Sequence, residues 1–437
     1  MKQLFGVGLS FILSLLSMKT SAQTQAIQDP QLQQLIQQSV SNYSKVKELE
    51  ILYKSNDVND EIIKSNWLPE VNADASYHYS VPSPSIDFPT ASGPKAFQFA
   101  PYNNYNAQVN LNQLVYDFGK TRARLRKSNA DRKLNQDNID ILKNTVAYQV
   151  AQLYFSIGFL ENAIKVQNGQ ISSLRENEKL IDAKVRNGDA LEYDLLTTRV
   201  RIANASNKLS DLQSQVEKQY IMLRLLTGVE QKGKINTALA KNDLALVTDP
   251  QATDWKNSSL EAQRINHQLQ GLDVDYKNAF LMNRPTVYAQ AAGGVKNGYQ
   301  PEIERMRLNG IVGLGVNIPI FSGNKEHLQR KMVQINMDAT KQSLQTLEEN
   351  IRKDLADVNE DYRNLQVKLE NTKLLVQQAQ KAYDLAQVRF KNGLLTSAEL
   401  VDAQSNVEDA RLTQIQLEYQ LQLDRLESQK IVGTKIW

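Results

Sequence analysis

Cysteine is absent from the 437 residues. That excludes disulfides, thiolate metal sites and a lipid-bearing cysteine at a processed N-terminus. Histidine occurs only three times, at His78, His267 and His327, without the spacing of metal ligands. No phosphate loop, nucleophile elbow or zinc motif is present, so the sequence offers no enzyme chemistry, no cofactor and no metal site. Charge of either sign is not in excess, with 51 basic against 48 acidic residues. This gives no electrostatic case for nucleic acid. Long hydrophobic runs are missing too. Beyond the N-terminal segment no stretch reaches about 18 uninterrupted apolar residues, so no helix can span a bilayer. A membrane-embedded form of this chain has to be a β-barrel.

What is present begins with Lys2, the apolar run Leu4 to Leu16, and Thr20-Ser21-Ala22 ahead of Gln23. These are the basic, apolar and small-residue parts of a cleavable signal peptide over 1–22. Residues 31–66 read as a first helix, ending before Pro69. The period then changes to two. Val71, Ala73, Ala75, Tyr77 and Tyr79 alternate with polar residues, and so do Tyr105, Ala107, Val109 and Leu111. Residues 81–103, rich in Pro, Ser, Gly and Phe, read as a loop.

From Gly119 the helical period returns, with apolar residues from Ile139 to Val185 at steps of three, four and seven. The run breaks at Asn187-Gly188, a helix stop. Asp189 reads as the next N-cap, with Glu192 as capping-box partner. About 68 residues of helix extend roughly 100 Å, a length without use in a compact domain. The order then recurs. A helix from near Asn257 ends ahead of Pro285. A strand runs to about Val295, and a second alternates from Val312 to Ile320. Phe321-Ser322-Gly323 leads into another long helix, which breaks at Asn392-Gly393. Gly119 and Gly323 lie 204 positions apart, and Gly188 and Gly393 lie 205 apart, which marks a duplication. The chain divides into repeats 23–228 and 257–437 joined by a linker 229–256. Strands fall within 68–118 and 284–321, and helical hairpins within 119–228 and 323–432.

Four alternating strands cannot close a barrel, which takes about eight, and open edges are not tolerated in lipid. Further copies of the chain must complete the sheet. The hairpins are too charged to enter the bilayer and project into water. The competing reading is a soluble periplasmic coiled-coil scaffold.

The repeated order of helix, Pro-x-Val strand, Phe-(Ser)-Gly junction, long helix and Asn-Gly tip resembles the TolC-like outer membrane efflux protein family over the whole mature chain. The resemblance implies an α+β membrane protein in the outer membrane, a homotrimer with a 12-stranded barrel continued by an α-helical periplasmic barrel. It implies an exit duct serving an inner-membrane pump and a periplasmic adaptor, with outer-membrane lipid around the barrel. It makes Asn187, Gly188, Asp189, Asn392, Gly393 and Leu394 adaptor-docking tips. It also places Glu399 and Asp402, with Asp194 in the first repeat, at an acidic periplasmic gate. Thr396 and Glu399 also form a capping box from spacing alone. Thr197 stands where the second repeat has Asp402. Phe390 and Leu395 stand where the family's best-known member has polar latch residues, so any latch here must differ.

Overall fold

The computed structural model describes residues 29–230, 235, 244–249 and 255–437. The expected signal segment and most of the linker lie outside these. The two long helices, α4 (Lys120–Arg186) and α8 (Lys325–Lys391), have 67 residues each, about 100 Å of rise. Each turns at its tip into a shorter return helix, α5 (Glu192–Thr227) or α9 (Ser397–Ile431). α4 packs along α5 and α9, and α8 along α9. The apolar seam read from the sequence is the packed one: Ile139, Val146, Val150, Ile157, Leu160, Ile171, Leu174 and Ile181 of α4 are buried. So are Ile351, Leu355, Tyr362, Ala379, Tyr383 and Phe390 of α8.

The N-terminal helix is a correction. Residues 31–66 form three helices, α1 (Pro30–Asn42), α2 (Ser44–Tyr53) and α3 (Ser55–Ser65). Tyr43 is extended (ψ 122°). Ahead of it Asn42 turns away to donate from Nδ2 to the Thr227 carbonyl at 3.0 Å, which ties α1 to the end of α5. At the second break Ser55 and Asn56 bond back to the carbonyls of Leu52 and Tyr53, the competition that makes these side chains poor in helix interiors. Charge then clamps the short helices to α4. Arg132 reaches Asp57 and Asp60 at 2.6 and 2.7 Å, and Lys143 reaches Glu50 at 2.7 Å. In the second repeat a short helix, α6 (Trp255–Ser258), precedes α7 (Leu260–Ala279). α7 therefore starts three residues later than expected, capped by Ser259, and stops before Asn283. It lies between α4 and α8.

Among the described residues six strands form two sheets. β1 (Glu70–Tyr79), β4 (Asn103–Tyr116), β5 (Thr286–Lys296) and β6 (Arg307–Asn317) make an antiparallel sheet in the order β1-β4-β5-β6. β6 ends at Asn317, before Ile318 and Ile320. The region 81–103 is a second correction. It carries a separate hairpin of β2 (Ser85–Thr90) and β3 (Gly93–Gln98). Its Pro and Gly residues suggest only loop, yet Pro89 and Pro94 face each other beside the turn, where a strand tolerates proline.

Register sets the chemistry of the main sheet. Val71 pairs Leu111, Leu111 pairs Ala291, and Ala291 pairs Val312. One face is therefore apolar across all four strands. The other carries Asn72, Asp74, Asn106, Gln108, Asn110, Gln290 and Asn309. Along β4 and β6 the apolar side chains are the exposed ones, with Val312 at 88% and Leu314 at 78%, while Asn106, Gln108, Asn110 and Asn309 are half-buried. A water-soluble sheet would show the reverse. Among the described residues β1 and β6 each leave one edge unpaired.

On the polar face Gly315 lies opposite Tyr288, and a Cβ at Gly315 would overlap the tyrosine ring. The ring thus fills the space that the glycine leaves. We expect Gly315→Val to destabilise the sheet by about 1–3 kcal/mol through overpacking, and Tyr288→Ala in the same chain to recover part of the loss. Heat-dependent mobility of the folded species on semi-native gels reads both.

Candidate functional site at the hairpin tips

Both tips are built the same way. In the first, Gly188 N–H donates to the Val185 carbonyl (3.1 Å) and Asp189 N–H to the Lys184 carbonyl (2.8 Å), with Gly188 at φ 80°. In the second, Gly393 N–H donates to the Phe390 carbonyl (3.1 Å) and Leu394 N–H to the Arg389 carbonyl (2.9 Å), with Gly393 at φ 72°. This is the paired-bond helix stop with a left-handed residue, which glycine adopts at low cost. Asn187, Gly188, Asp189, Asn392, Gly393 and Leu394 are all exposed.

The helix starts beyond the tips differ. In the second repeat Thr396 Oγ1 accepts from the Glu399 N–H, and the Glu399 carboxylate accepts from the Thr396 N–H at 2.9 Å. The Thr396 N–H first, and then the Thr396 hydroxyl, which donates to the same carboxylate at 2.7 Å, hold the Glu399 carboxyl below its ordinary value. The first repeat departs from expectation. Asp189 is taken up in the helix stop, and α5 starts from Leu191 rather than from a box of Asp189 and Glu192. Asp194, the counterpart of Glu399, takes the reciprocal role expected of Glu192. Its carboxylate accepts from the Leu191 N–H at 3.4 Å.

The two hairpins are tied together near the tips. Lys184 Nζ donates to the Phe390 carbonyl at 2.9 Å and sits 4.6 Å from the centre of the Phe390 ring. A cation there also meets the negative end of α8. Phe390 is buried with Ile181, Leu195 and Leu400, and Leu395 packs against the same cluster. These two residues serve the apolar joint between hairpins.

Asp402 is exposed and accepts from both terminal nitrogens of Arg201, at 3.2 and 3.3 Å. The pair joins α9 to α5 across 201 positions of sequence, which is why no local pattern revealed it. Further along α9, Glu408 is 5% exposed and its Oε2 has no partner. Burial pushes its carboxyl up, opposed in part by Arg411. Sequence reading missed Glu408 as well, since its position in the helical period was the only signal. On the same seam Gln404 accepts from Asn177 at 2.8 Å and donates to the Gln170 carbonyl at 3.2 Å. His267 pairs with Asp137 at 2.6 Å far from the tips. Among the described residues no group of three or more metal-ligating side chains comes together.

The open sheet with an apolar outer face, together with the charged hairpins about 100 Å long, defines a subunit of an outer-membrane channel. The sequence model of the outer membrane efflux proteins matches residues 35–229 and 285–434, and the chain belongs to that family. It is 20% identical over 296 residues to the cobalt-zinc-cadmium resistance protein CzcC of Cupriavidus metallidurans, covering 67% of this chain and 69% of that one. Crystal structures of CusC share the fold at 14% identity, with a TM-score of 0.71 over 93% of each chain. The open-state MtrE channel of Neisseria gonorrhoeae does so at 15% identity, with a TM-score of 0.70 over 94% of this chain and 91% of that one.

Glu408 supplies a stability test. Its folded carboxyl holds a proton more tightly than the ordinary value of 4.5. Stability therefore falls as pH rises from that value through the raised folded one. Glu408→Gln is expected to flatten this decline and to raise stability at neutral pH by on the order of 1–3 kcal/mol. Chemical unfolding followed across pH checks it.

Proposed function

We propose that the chain is the passive exit duct of an export machine, working as a homotrimer with a periplasmic adaptor and an inner-membrane pump. The observation that carries this reading is the four-stranded sheet with a continuous apolar face and two unpaired edges. Three copies give twelve strands, pair every edge and turn the amide-rich face to a water-filled lumen. α8 supports the same assembly. Besides its buried seam it carries exposed Leu328, Met332 and Ile335, then Val367, Leu374, Leu385 and Val388, at spacings that suit a neighbouring helix. Helices with two apolar sides make a closed wall. The duct transfers no bonds, and the pump and adaptor set the cargo.

The exposed tips are the surface offered to the adaptor. Gly393→Val forces a β-branched residue into φ 72°, a strain of about 1–3 kcal/mol. It is expected to abolish export while trimer levels in the outer membrane stay near normal. Normal export at normal trimer levels would reduce the tip to a turn.

Glu399, Asp402 and Asp194 are the acidic groups of the narrow end. Threefold repetition makes rings of them, and such rings favour cations. Purified protein in planar bilayers is expected to conduct cations preferentially and to be blocked from the periplasmic side by divalent or trivalent cations. Asp402→Asn should weaken the block, and Arg201→Ser, which frees Asp402, should strengthen it. Glu399→Gln keeps a capping acceptor but loses charge, so a weaker block with unchanged stability assigns Glu399 to the ring. Block unchanged in all three variants would reject the acidic gate.

A further inference from the structure

The β2–β3 hairpin has no role in the duct as described. α3 and α4 both lie on the helical side of the sheet, so the β1–β4 connection, which contains the hairpin, lies at the opposite, outer end. The β5–β6 connection is at the same end, and Gln300 Nε2 donates to the Gln98 carbonyl at 3.1 Å. The hairpin base is held further by Gln98, which donates to Ser83 Oγ and the Ala100 carbonyl at 3.0 and 2.7 Å. Beyond its base the hairpin is exposed along both strands.

Its two faces differ in chemistry. Ile86 pairs Phe97 and Phe88 pairs Lys95. Ile86, Phe88, Phe97 and Phe99 therefore share one side, with Lys95 at its margin. Phe88 and Phe99 each meet the Phe97 ring edge-on, at 6.0 and 5.2 Å. Ser85, Asp87, Ala96 and Gln98 alternate onto the other side. A lone two-stranded hairpin is marginal in water, so an exposed aromatic face of this kind needs a cover.

The neighbours indicate which cover. On the apolar face of the main sheet, Tyr77 and Tyr105 lie 5.1 Å apart at the outer end, and Tyr79 and Tyr102 lie 6.4 Å apart beside them. At the helical end Tyr116 and Phe118 pair at 4.7 Å. Two aromatic belts flanking an apolar band are the mark of a barrel's lipid boundary. β4 has 14 residues, roughly 35 Å of height at a tilt of about 40°, enough for the band and both belts. The hairpin continues the outer belt beyond the barrel wall. Lys95 extends from the aromatic face as a cation suited to headgroup phosphates.

We propose that the hairpin is a lipid-surface clamp, its Ile86, Phe88, Phe97 and Phe99 face seated in the interfacial zone of the outer leaflet. The proposal rests on the barrel reading above. Three hairpins per trimer would fix the barrel's depth and tilt at its outer rim.

The lack of cysteine permits single-site spin labelling in the full chain. Phe88→Cys and Phe97→Cys report the aromatic face, Asp87→Cys and Ala96→Cys the opposite face, and Val109→Cys the barrel wall. Labelled trimers, checked for heat-resistant assembly, are placed in vesicles of phosphatidylethanolamine and phosphatidylglycerol. Phe99→Cys replaces any aromatic-face variant that fails to assemble. Collision with dioxygen is expected to exceed collision with a soluble nickel chelate at 88, 97 and 109, with the order reversed at 87 and 96. Nickel access at 88 and 97 equal to that at 87 and 96, with 109 in lipid, overturns the clamp and leaves the barrel standing. Label-to-label distances at 97 shorter than the barrel's diameter also overturn it, in favour of three hairpins meeting over the pore. Water access at 109 removes the barrel reading and the clamp with it.

Discussion

Backbone groups in lipid have to be hydrogen-bonded, and among the described residues two strand edges of this chain have no partner. The rest of the architecture depends on that requirement. Each edge needs the complementary edge of another copy, so the sheet dictates a closed ring of subunits. Closure in turn fixes where the helices go. Both halves leave the sheet through left-handed junctions, at Phe118 and Gly119 in one and at Gly323 and Asn324 in the other. Both then run 67 residues in the same direction. Equal helix lengths bring the two tips of each subunit to one level, and the ring brings all of them to one end.

Helices this long must be held by contacts spread along them. The apolar seam does part of this, but it is interrupted by polar layers. Gln167 is fully buried and donates to the Ala205 carbonyl at 3.1 Å, and Asn177 bonds Gln404. Such bonds add little net stability. What they add is register, because an antiparallel pair slipped by one turn would leave these amides unsatisfied. Glu408 lies on this seam with an unpaired oxygen. It is a point of poorly satisfied packing on the helix that leads back from the second tip.

Legibility in the sequence followed the range of the forces involved. Alternation from Val71 to Tyr79 and from Tyr105 to Leu111 was visible because side-chain direction in a strand is local. The Asn-Gly stops and the Thr396–Glu399 box were visible because their bonds close within a few residues. The break at Tyr43 was not, since Asn42 is drawn off by Thr227, 185 positions away. The β2–β3 hairpin was hidden by its prolines, whose positions opposite each other cannot be seen without the pairing. Arg201 and Asp402 meet only when both hairpins are folded. At α5, Asp189 satisfied every local rule for a cap. It lost to the helix stop, whose bond from the Asp189 N–H to the Lys184 carbonyl occupies that residue, and the start moved to Leu191.

The duplication makes the two tips alike in backbone and unlike in surface. Glu399 and Asp194 hold the same position in their helices, the third residue after the cap, and both turn back to bond it. Three residues on, the repeats part, with Asp402 in one and Thr197 in the other. At the tips themselves Asp189 stands against Leu394. A ring of three subunits would therefore present six turns of one shape, alternating acidic and apolar. Lys184 adds to this asymmetry: it lies in the first hairpin and caps the carbonyl end of α8 in the second. The bond has no counterpart running the other way among the described residues, so the second tip is held by the first.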